Sequence, residues 1–93
     1  MGMSRLFMVS RTLAYTGAAE RGPPSGLVVD LMWAHATAED RLEHIRAASS
    51  ADRVDLVFFI SAHDEREAAD QADRLCARAA GAGSTLGAQL HRI

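Results

Sequence analysis

The sequence predicts an α+β protein of two layers, in which two helices cover one face of a four-stranded sheet. Segments with the two-residue period of strands alternate along the chain with segments that have the spacing of helices. The 93 residues correspond to one domain, since domains span about 50 to 250 residues. Apolar residues make up 48% and charged residues 24%, which is the composition of a folded chain with a core. We therefore expect a single α+β domain over residues 4–93.

The first element is a strand over Ser4 to Thr16. Apolar and β-branched side chains occupy both parities of this segment, and they do not recur with a helical period. The next stretch, Gly17 to Ser25, contains two glycines and two prolines. These residues interrupt regular structure, so we expect a surface loop here.

A first helix is predicted over about Gly26 to Ala38. Ser25 is a suitable N-cap residue. Leu27, Leu31 and His35 then recur at every fourth position, as on one side of a helix.

The segment Arg41 to Ser49 fits both the two-residue period of a strand and the period of about 3.6 residues of a helix. Whether it is a strand or a helix decides the topology of the domain. As a strand it places Glu43, Ile45 and Ala47 on one face, whereas as a helix it carries only a thin apolar stripe. A helix here would change the order to a ββαβα sandwich whose second strand lies over Gly26 to Ala34. Both interpretations are compatible with the local sequence.

The second half of the chain has the clearest signals. Arg53 to Ser61 is almost continuously apolar, which is typical of a central strand covered on both faces. A helix with an acidic first turn begins near Asp64 and ends before Gly81. Ala88 to Ile93 is expected to add a short edge strand.

The order strand, helix, strand, strand, helix, strand is that of a ferredoxin-like βαββαβ sandwich. Helices on one face leave the other face of the sheet open, and Val57 and Phe59 project there if Phe58 faces the helices. Exposed apolar side chains on this face would cost several kcal/mol of a total stability of roughly 5 to 15 kcal/mol. We therefore predict a homodimer through the sheet face, with Phe7, Val9, Val57 and Phe59 at the interface.

The alternative to a homodimer is a monomer whose open face is covered by the loop Gly17 to Ser25 or by the C-terminal tail. The function expected first is that of a small accessory or partner-binding protein, with no catalysis of its own and with a protein as its further partner. No cofactor is expected.

Two chains stacked through such sheets would resemble the dimeric α/β-barrel architecture, whose members include small oxygenases, isomerases and stress proteins. The resemblance is one of architecture and brings no motif, so it assigns no catalytic residue. It implies a second function, a small-molecule-binding protein or enzyme with a cavity between sheet and helices. The candidate ligand-binding residues are then Trp33, His35, His44 and Phe59.

The histidines match no zinc signature, so no metal site is predicted. His35 and His44 could approach one another at one end of the sheet, together with Glu39 or Asp40, as a group for proton transfer. The alternative is structural, since a histidine at the C-terminal end of a helix interacts favourably with the helix dipole.

Charge and cysteine content restrict the partners and the compartment. Twelve acidic residues outnumber ten basic ones, which argues against binding to nucleic acid. The single cysteine, Cys76, indicates a reducing compartment, so we expect a cytoplasmic location. The apolar run Leu6 to Val9 is too short to span a membrane or to form a signal sequence.

Overall fold

A computed structural model describes residues 3–17, 22–81 and 84–93. The elements in chain order are β1 (Arg5–Tyr15), α1 (Ser25–His35), a 3-10 turn (Ala38–Asp40), β2 (Leu42–Ser50), β3 (Arg53–Ala62), α2 (Glu65–Ala79), α3 (Thr85–Gln89) and β4 (Leu90–Arg92). The prediction of an α+β chain with a four-stranded sheet and two main helices is confirmed, and the arrangement is compatible with a two-layer sandwich.

The segment that fitted either period is a strand. β2 pairs with β3, and Ile45 is buried at 4% exposure while its neighbours His44 and Arg46 are exposed. The alternative with a strand over Gly26 to Ala34 is wrong, because these residues lie in α1. Arg41 adopts φ 54°, which ends the 3-10 turn and turns the chain into β2.

The strands follow the order β2-β3-β1-β4, and each neighbouring pair is antiparallel. The register between β1 and β3 is continuous from Arg5 opposite Ala62 to Ala14 opposite Arg53. The pairing of β2 with β3 contains one irregularity, which lies between Leu42 and His44. β3 and β1 are therefore the central strands of the sheet.

The core lies between the sheet and the two main helices. Alternate residues of β3 are completely buried on this side, and α1 and α2 cover them with an equally buried set of side chains. The residues at 0% exposure are Val28, Met32, Val54, Leu56, Phe58, Ile60, Ala62, Ala68, Ala72, Leu75, Ala79 and Leu90. The small alanines of α2 allow this helix to lie close to the sheet.

Several element boundaries differ from the sequence expectation. α1 begins at Ser25, so Pro24 rather than Ser25 is its N-cap residue, and it ends at His35 rather than near Ala38. The segment expected to be a strand over Ala88 to Ile93 begins with the end of α3, because the Ser84 side chain accepts a hydrogen bond from the Gly87 amide at 3.0 Å and caps this short helix. β4 is consequently only three residues long. Of the expected loop from Gly17 to Ser25, residues 18–21 lie outside the described residues.

Candidate functional site

The face of the sheet that turns away from the helices carries an apolar patch on the central strands. Leu6 and Met8 on β1 are 59% and 70% exposed, respectively. Val57 and Phe59 on β3 are half-buried, and Phe59 lies directly opposite Met8 in the register. We call Leu6, Met8, Val57 and Phe59 the open-face patch.

The register corrects the predicted position of two interface residues, Phe7 and Val9. Val9 lies opposite Phe58 and Phe7 lies opposite Ile60, so both side chains point toward the helices. Val9 is 6% exposed and belongs to the core, and Phe7 packs against the core. Leu6 and Met8 take their place on the open face. Both parities of β1 carry apolar side chains, so the local pattern alone did not decide which of the two pairs faces the core.

Polar side chains border the open-face patch along β2 and at one end of β3. The Arg46 guanidinium lies 5.8 Å from the centroid of the Phe59 ring, and the His44 ring centroid lies 5.3 Å from it. Asp55 accepts a hydrogen bond from the Thr12 hydroxyl at 2.7 Å. Arg46 and Asp55 form no ion pair within the part of the chain that the structure describes. The patch is thus flanked by one free cation and one carboxylate.

The four candidate ligand-binding residues fall into two groups on opposite sides of the sheet. His44 and Phe59 contact one another on the open face. Trp33, which is 43% exposed, and His35 belong to α1 in the helix layer, where the neighbouring Met32 is at 0% exposure in the core. No pocket is found among the described residues. A single copy of the chain therefore does not bring the four side chains together.

The buried carboxylate of Asp40 is the centre of a polar contact between α2 and the turn before β2. It is 2% exposed and accepts hydrogen bonds from the Thr37 amide at 2.7 Å and from the Arg78 guanidinium. Arg78 also donates to the carbonyl oxygen of His35 at 3.2 Å, and Gln71 donates to the carbonyl oxygen of Asp40 at 2.6 Å. These bonds connect α2 to the end of α1 and to the start of β2.

The environment of Asp40 favours its ionised form. Burial alone raises the pKa of this carboxyl, but the hydrogen bonds from Arg78 and Thr37 more than offset burial and hold the pKa below its usual value. The Asp40 carboxylate thus accepts hydrogen bonds from other groups of the protein.

No cluster of three or more His, Cys, Asp or Glu side chains that could hold a metal ion occurs in residues 3–17, 22–81 and 84–93.

Cys76 lies on the buried side of α2 at 2% exposure. Burial, together with the nearby Asp73 carboxylate, raises the pKa of this thiol to about 11. The thiol is therefore protonated at neutral pH and behaves as a small apolar side chain.

Comparison with known protein families, with curated proteins and with solved structures finds no match to this chain. The helices in the described part of the chain are all too short or too polar to cross a membrane. The open face of the sheet is accordingly the feature of the molecule from which a function is inferred.

Proposed function

We propose that this chain is a cytoplasmic accessory or partner-binding protein, without catalysis of its own, that forms a homodimer through the open face of its sheet. The observation that carries the proposal is the open-face patch, in which two of the most exposed large apolar side chains, Leu6 and Met8, lie beside Phe59. Burial of a large apolar side chain is worth about 1.5 to 3 kcal/mol. A contact that covers this patch in both copies therefore provides the driving force for association.

The size of the open face limits the area that the dimer can bury. β1 contains eleven residues, and with a rise of about 3.3 Å per residue and about 4.8 Å between strands the face measures about 500 Å² per copy. Two copies then bury about 1,000 Å² in total, which is near the lower limit for a specific interface. We expect dissociation in the micromolar range rather than an obligate dimer.

The charges at the border of the patch are self-complementary. Arg46 lies opposite Val57 in the register, and Asp55 lies two residues before Val57 on β3. When two open faces meet about a two-fold axis, Arg46 of one copy can approach Asp55 of the second copy, and the converse pair forms by symmetry. Opposite charges across an interface select its register more than they add affinity.

We also propose that the sheet has the ferredoxin-like arrangement. β1 and β2 are both antiparallel to β3, which lies between them, so they run parallel to one another and are joined through α1. In the same way β3 and β4 run parallel on either side of β1 and are joined through α2. This is the pattern of two interleaved split βαβ units. Two such sheets stacked face to face would form the dimeric α/β-barrel architecture.

Two observations support a cytoplasmic location and a partner-binding role. Cys76 is a free, buried thiol, which fits a reducing compartment. The polar groups at the most buried positions, Asp40 and Gln71, are hydrogen-bonded within the protein, so their arrangement serves the fold. The exposed apolar surface, rather than a polar cluster, is the feature that calls for a partner.

Sedimentation equilibrium with two matched variants tests the dimer. Leu6→Asp places a charge in the open-face patch, whereas Leu27→Asp makes the same change at a residue of similar exposure, 54% against 59%, on the outer side of α1. We expect Leu6→Asp to halve the apparent mass at concentrations of about 10 to 300 μM and Leu27→Asp to leave it unchanged. Equal masses for both variants, or a wild-type monomer over the whole range, would overturn the proposal.

A further inference from the structure

β1 has an open edge along most of its length. β3 pairs with β1 from Arg5 to Ala14, whereas on the other side β4 pairs with it only at Leu13, Ala14 and Tyr15. Within the described residues, β1 therefore has a neighbouring strand on one side only over Arg5 to Arg11. We call this segment the β1 edge.

The backbone hydrogen bonds at the end of β1 show which residues face this edge. The Tyr15 amide donates to the carbonyl oxygen of Asp52 at 2.8 Å, which is on the β3 side. The next amide, Thr16, donates to the carbonyl oxygen of Gln89 at 2.9 Å, which is on the β4 side. Backbone groups alternate between the two sides of a strand, and the register with β3 is continuous. Even-numbered residues of β1 therefore direct their amide and carbonyl groups away from β3.

Leu6, Met8 and Ser10 consequently direct their N–H and C=O groups along the β1 edge, where the Ser10 carbonyl oxygen accepts a hydrogen bond from the exposed Arg11 guanidinium at 2.8 Å and keeps one lone pair for a further donor. A row of this kind is a template for another extended strand. Leu6 and Met8 are also the two patch residues on β1, so the edge and the apolar patch meet at the same positions. An added strand would satisfy the backbone groups and at the same time extend the apolar surface.

We propose that the β1 edge pairs in antiparallel orientation with the β1 edge of a second copy, which joins two four-stranded sheets into one continuous sheet. With Met8 on the two-fold axis, Leu6 of each copy lies opposite Ser10 of the other. These three facing pairs exchange about six backbone hydrogen bonds. The pairing uses the whole open segment and ends where β4 begins.

The side chains of the β1 edge suit a partner with the same sequence. On the side of the helices, Phe7 of each copy lies opposite Val9 of the other, so both positions gain an apolar neighbour. At the ends of the pairing, Arg5 lies opposite Arg11 of the second copy. Arg11 already donates to Asp73 at 2.6 Å, so Arg5 meets an ion pair rather than an isolated cation.

The edge of the sheet formed by β2 differs from the β1 edge in the features that discourage pairing, and the edge formed by β4 is only three residues long. β2 carries the exposed charged side chains of Glu43 and Arg46, and its register is irregular between Leu42 and His44. Charged side chains and β-bulges usually prevent an exposed edge strand from pairing with another chain. The β1 edge has a continuous register and no charged residue between Arg5 and Arg11. Edge pairing is thus expected at β1 rather than at β2.

The edge contact is separate from the proposed contact through the open face, and the two are distinguished by sedimentation equilibrium of two variants. Ser10→Pro removes an amide that faces the edge, but it removes no hydrogen bond to β3, because odd-numbered residues make those bonds. Ser10→Ala is the matched control, since it removes the same hydroxyl and keeps the amide. We expect Ser10→Pro to halve the apparent mass relative to Ser10→Ala.

Combination with Phe59→Asp separates the failure of one contact from the failure of the other, because Phe59 belongs to the open-face patch but lies on β3, away from the β1 edge. With both contacts the wild type is a tetramer, each single change leaves a dimer and the double variant is a monomer; with the edge contact alone, only Ser10→Pro has an effect. Equal masses for Ser10→Pro and Ser10→Ala would overturn the edge proposal, and they would leave the effect of Phe59→Asp untouched.

Amide hydrogen exchange tests the edge contact without a substitution, in case Ser10→Pro does not fold. The amides of Leu6, Met8 and Ser10 should exchange quickly in dilute protein and become protected at least tenfold at high concentration. Those of Phe7 and Val9, which face β3, should be protected at both concentrations and serve as the internal control. A Met8 amide that exchanges quickly at every concentration would overturn the proposal.

Discussion

Arg78 on α2 donates a hydrogen bond to the carboxylate of Asp40, in the 3-10 turn that precedes β2. The acid is 3% exposed and the base 37% exposed at the side chain, so the pair has one buried and one partly solvated partner. Removal of the buried acid leaves the donors of Thr37 and Arg78 without their acceptor. The carboxylate of Asp40 therefore adds a buried polar contact between α2 and the turn before β2 to the apolar packing of the helices on the sheet.

Asp40→Ala is therefore expected to destabilise the chain by about 1 to 3 kcal/mol, the cost of leaving buried donors unsatisfied when one end of the pair is solvated. Urea unfolding followed by circular dichroism measures the change. Asp52→Ala is the matched control, since its pair with Arg53 at 3.1 Å is exposed on both sides and should add no measurable stability. Equal effects of the two changes would contradict the role assigned to Asp40.

The stability should also depend on acid pH through two carboxyls. Hydrogen bonds from Arg78 and Thr37 outweigh burial and lower the pKa of Asp40, and the hydrogen bond from Arg11 lowers the pKa of Asp73. A lowered folded-state pKa contributes stability above the unfolded value of about 4, and this contribution is lost as the pH falls from there toward the folded value. We expect the unfolding free energy to fall between about pH 4 and pH 2.

Asp40→Asn identifies the share of Asp40 in this acid sensitivity. Its unfolding free energy should be lower than that of the wild type at pH 7, and the difference should shrink as the pH falls below about 4, where the wild-type carboxyl takes up its proton. If the unfolding free energies of the wild type and of Asp40→Asn remain parallel from pH 7 to pH 2.5, a group other than Asp40 causes the acid sensitivity.

The register of β1 predicts opposite outcomes for two adjacent residues. Val9→Ala removes two methyl groups from the core and should cost about 2 kcal/mol. Met8→Ala changes a side chain that is 70% exposed and should shift the stability of the dissociated chain by less than about 0.5 kcal/mol. Thermal or urea unfolding at low concentration compares the two. A larger loss for Met8→Ala would show that β1 presents its other side to the helices.

Cys76 should resist alkylation as long as the chain is folded. Its thiol is 2% exposed, and burial raises its pKa to about 11, so both access and the thiolate fraction are low at pH 8. Iodoacetamide should label the protein at least a hundredfold more slowly in buffer than in 8 M urea, as read by mass spectrometry. Similar rates in the two solvents would place the thiol at the surface.

Some elements follow directly from local patterns in the sequence. The apolar run from Arg53 and the helix after Asp64 are present where the sequence predicts them, as β3 and α2. Their signals are local, because a buried strand and an amphipathic helix carry their own periodicity. The alternation along β3 also places Val57 and Phe59 on the open face, so half of the candidate site could be read from the sequence.

Other features depend on pairing between distant segments. Residues 41–49 fit two periods, and only the pairing of β2 with β3 selects the strand. In β1, Phe7, Val9 and Leu13 lie on one side of the strand, whereas only Leu6 and Met8 are large and apolar on the other side. This longer apolar series is the one local indication that Phe7 and Val9 face the core. Leu6 and Met8 were missed as site residues because a shift of one residue exchanges the two faces of a strand.

The sequence by itself determined the class of fold, the two strongest elements and the excess of acid over base. Only the tertiary structure decided which side of β1 is buried, how far β4 covers its edge and that Asp40 meets Arg78 across 38 positions of sequence. The physical reason is the range of the interactions. Periodicity and composition act over a few neighbouring residues, whereas strand register and buried ion pairs depend on the positions of side chains that fold together from distant parts of the chain.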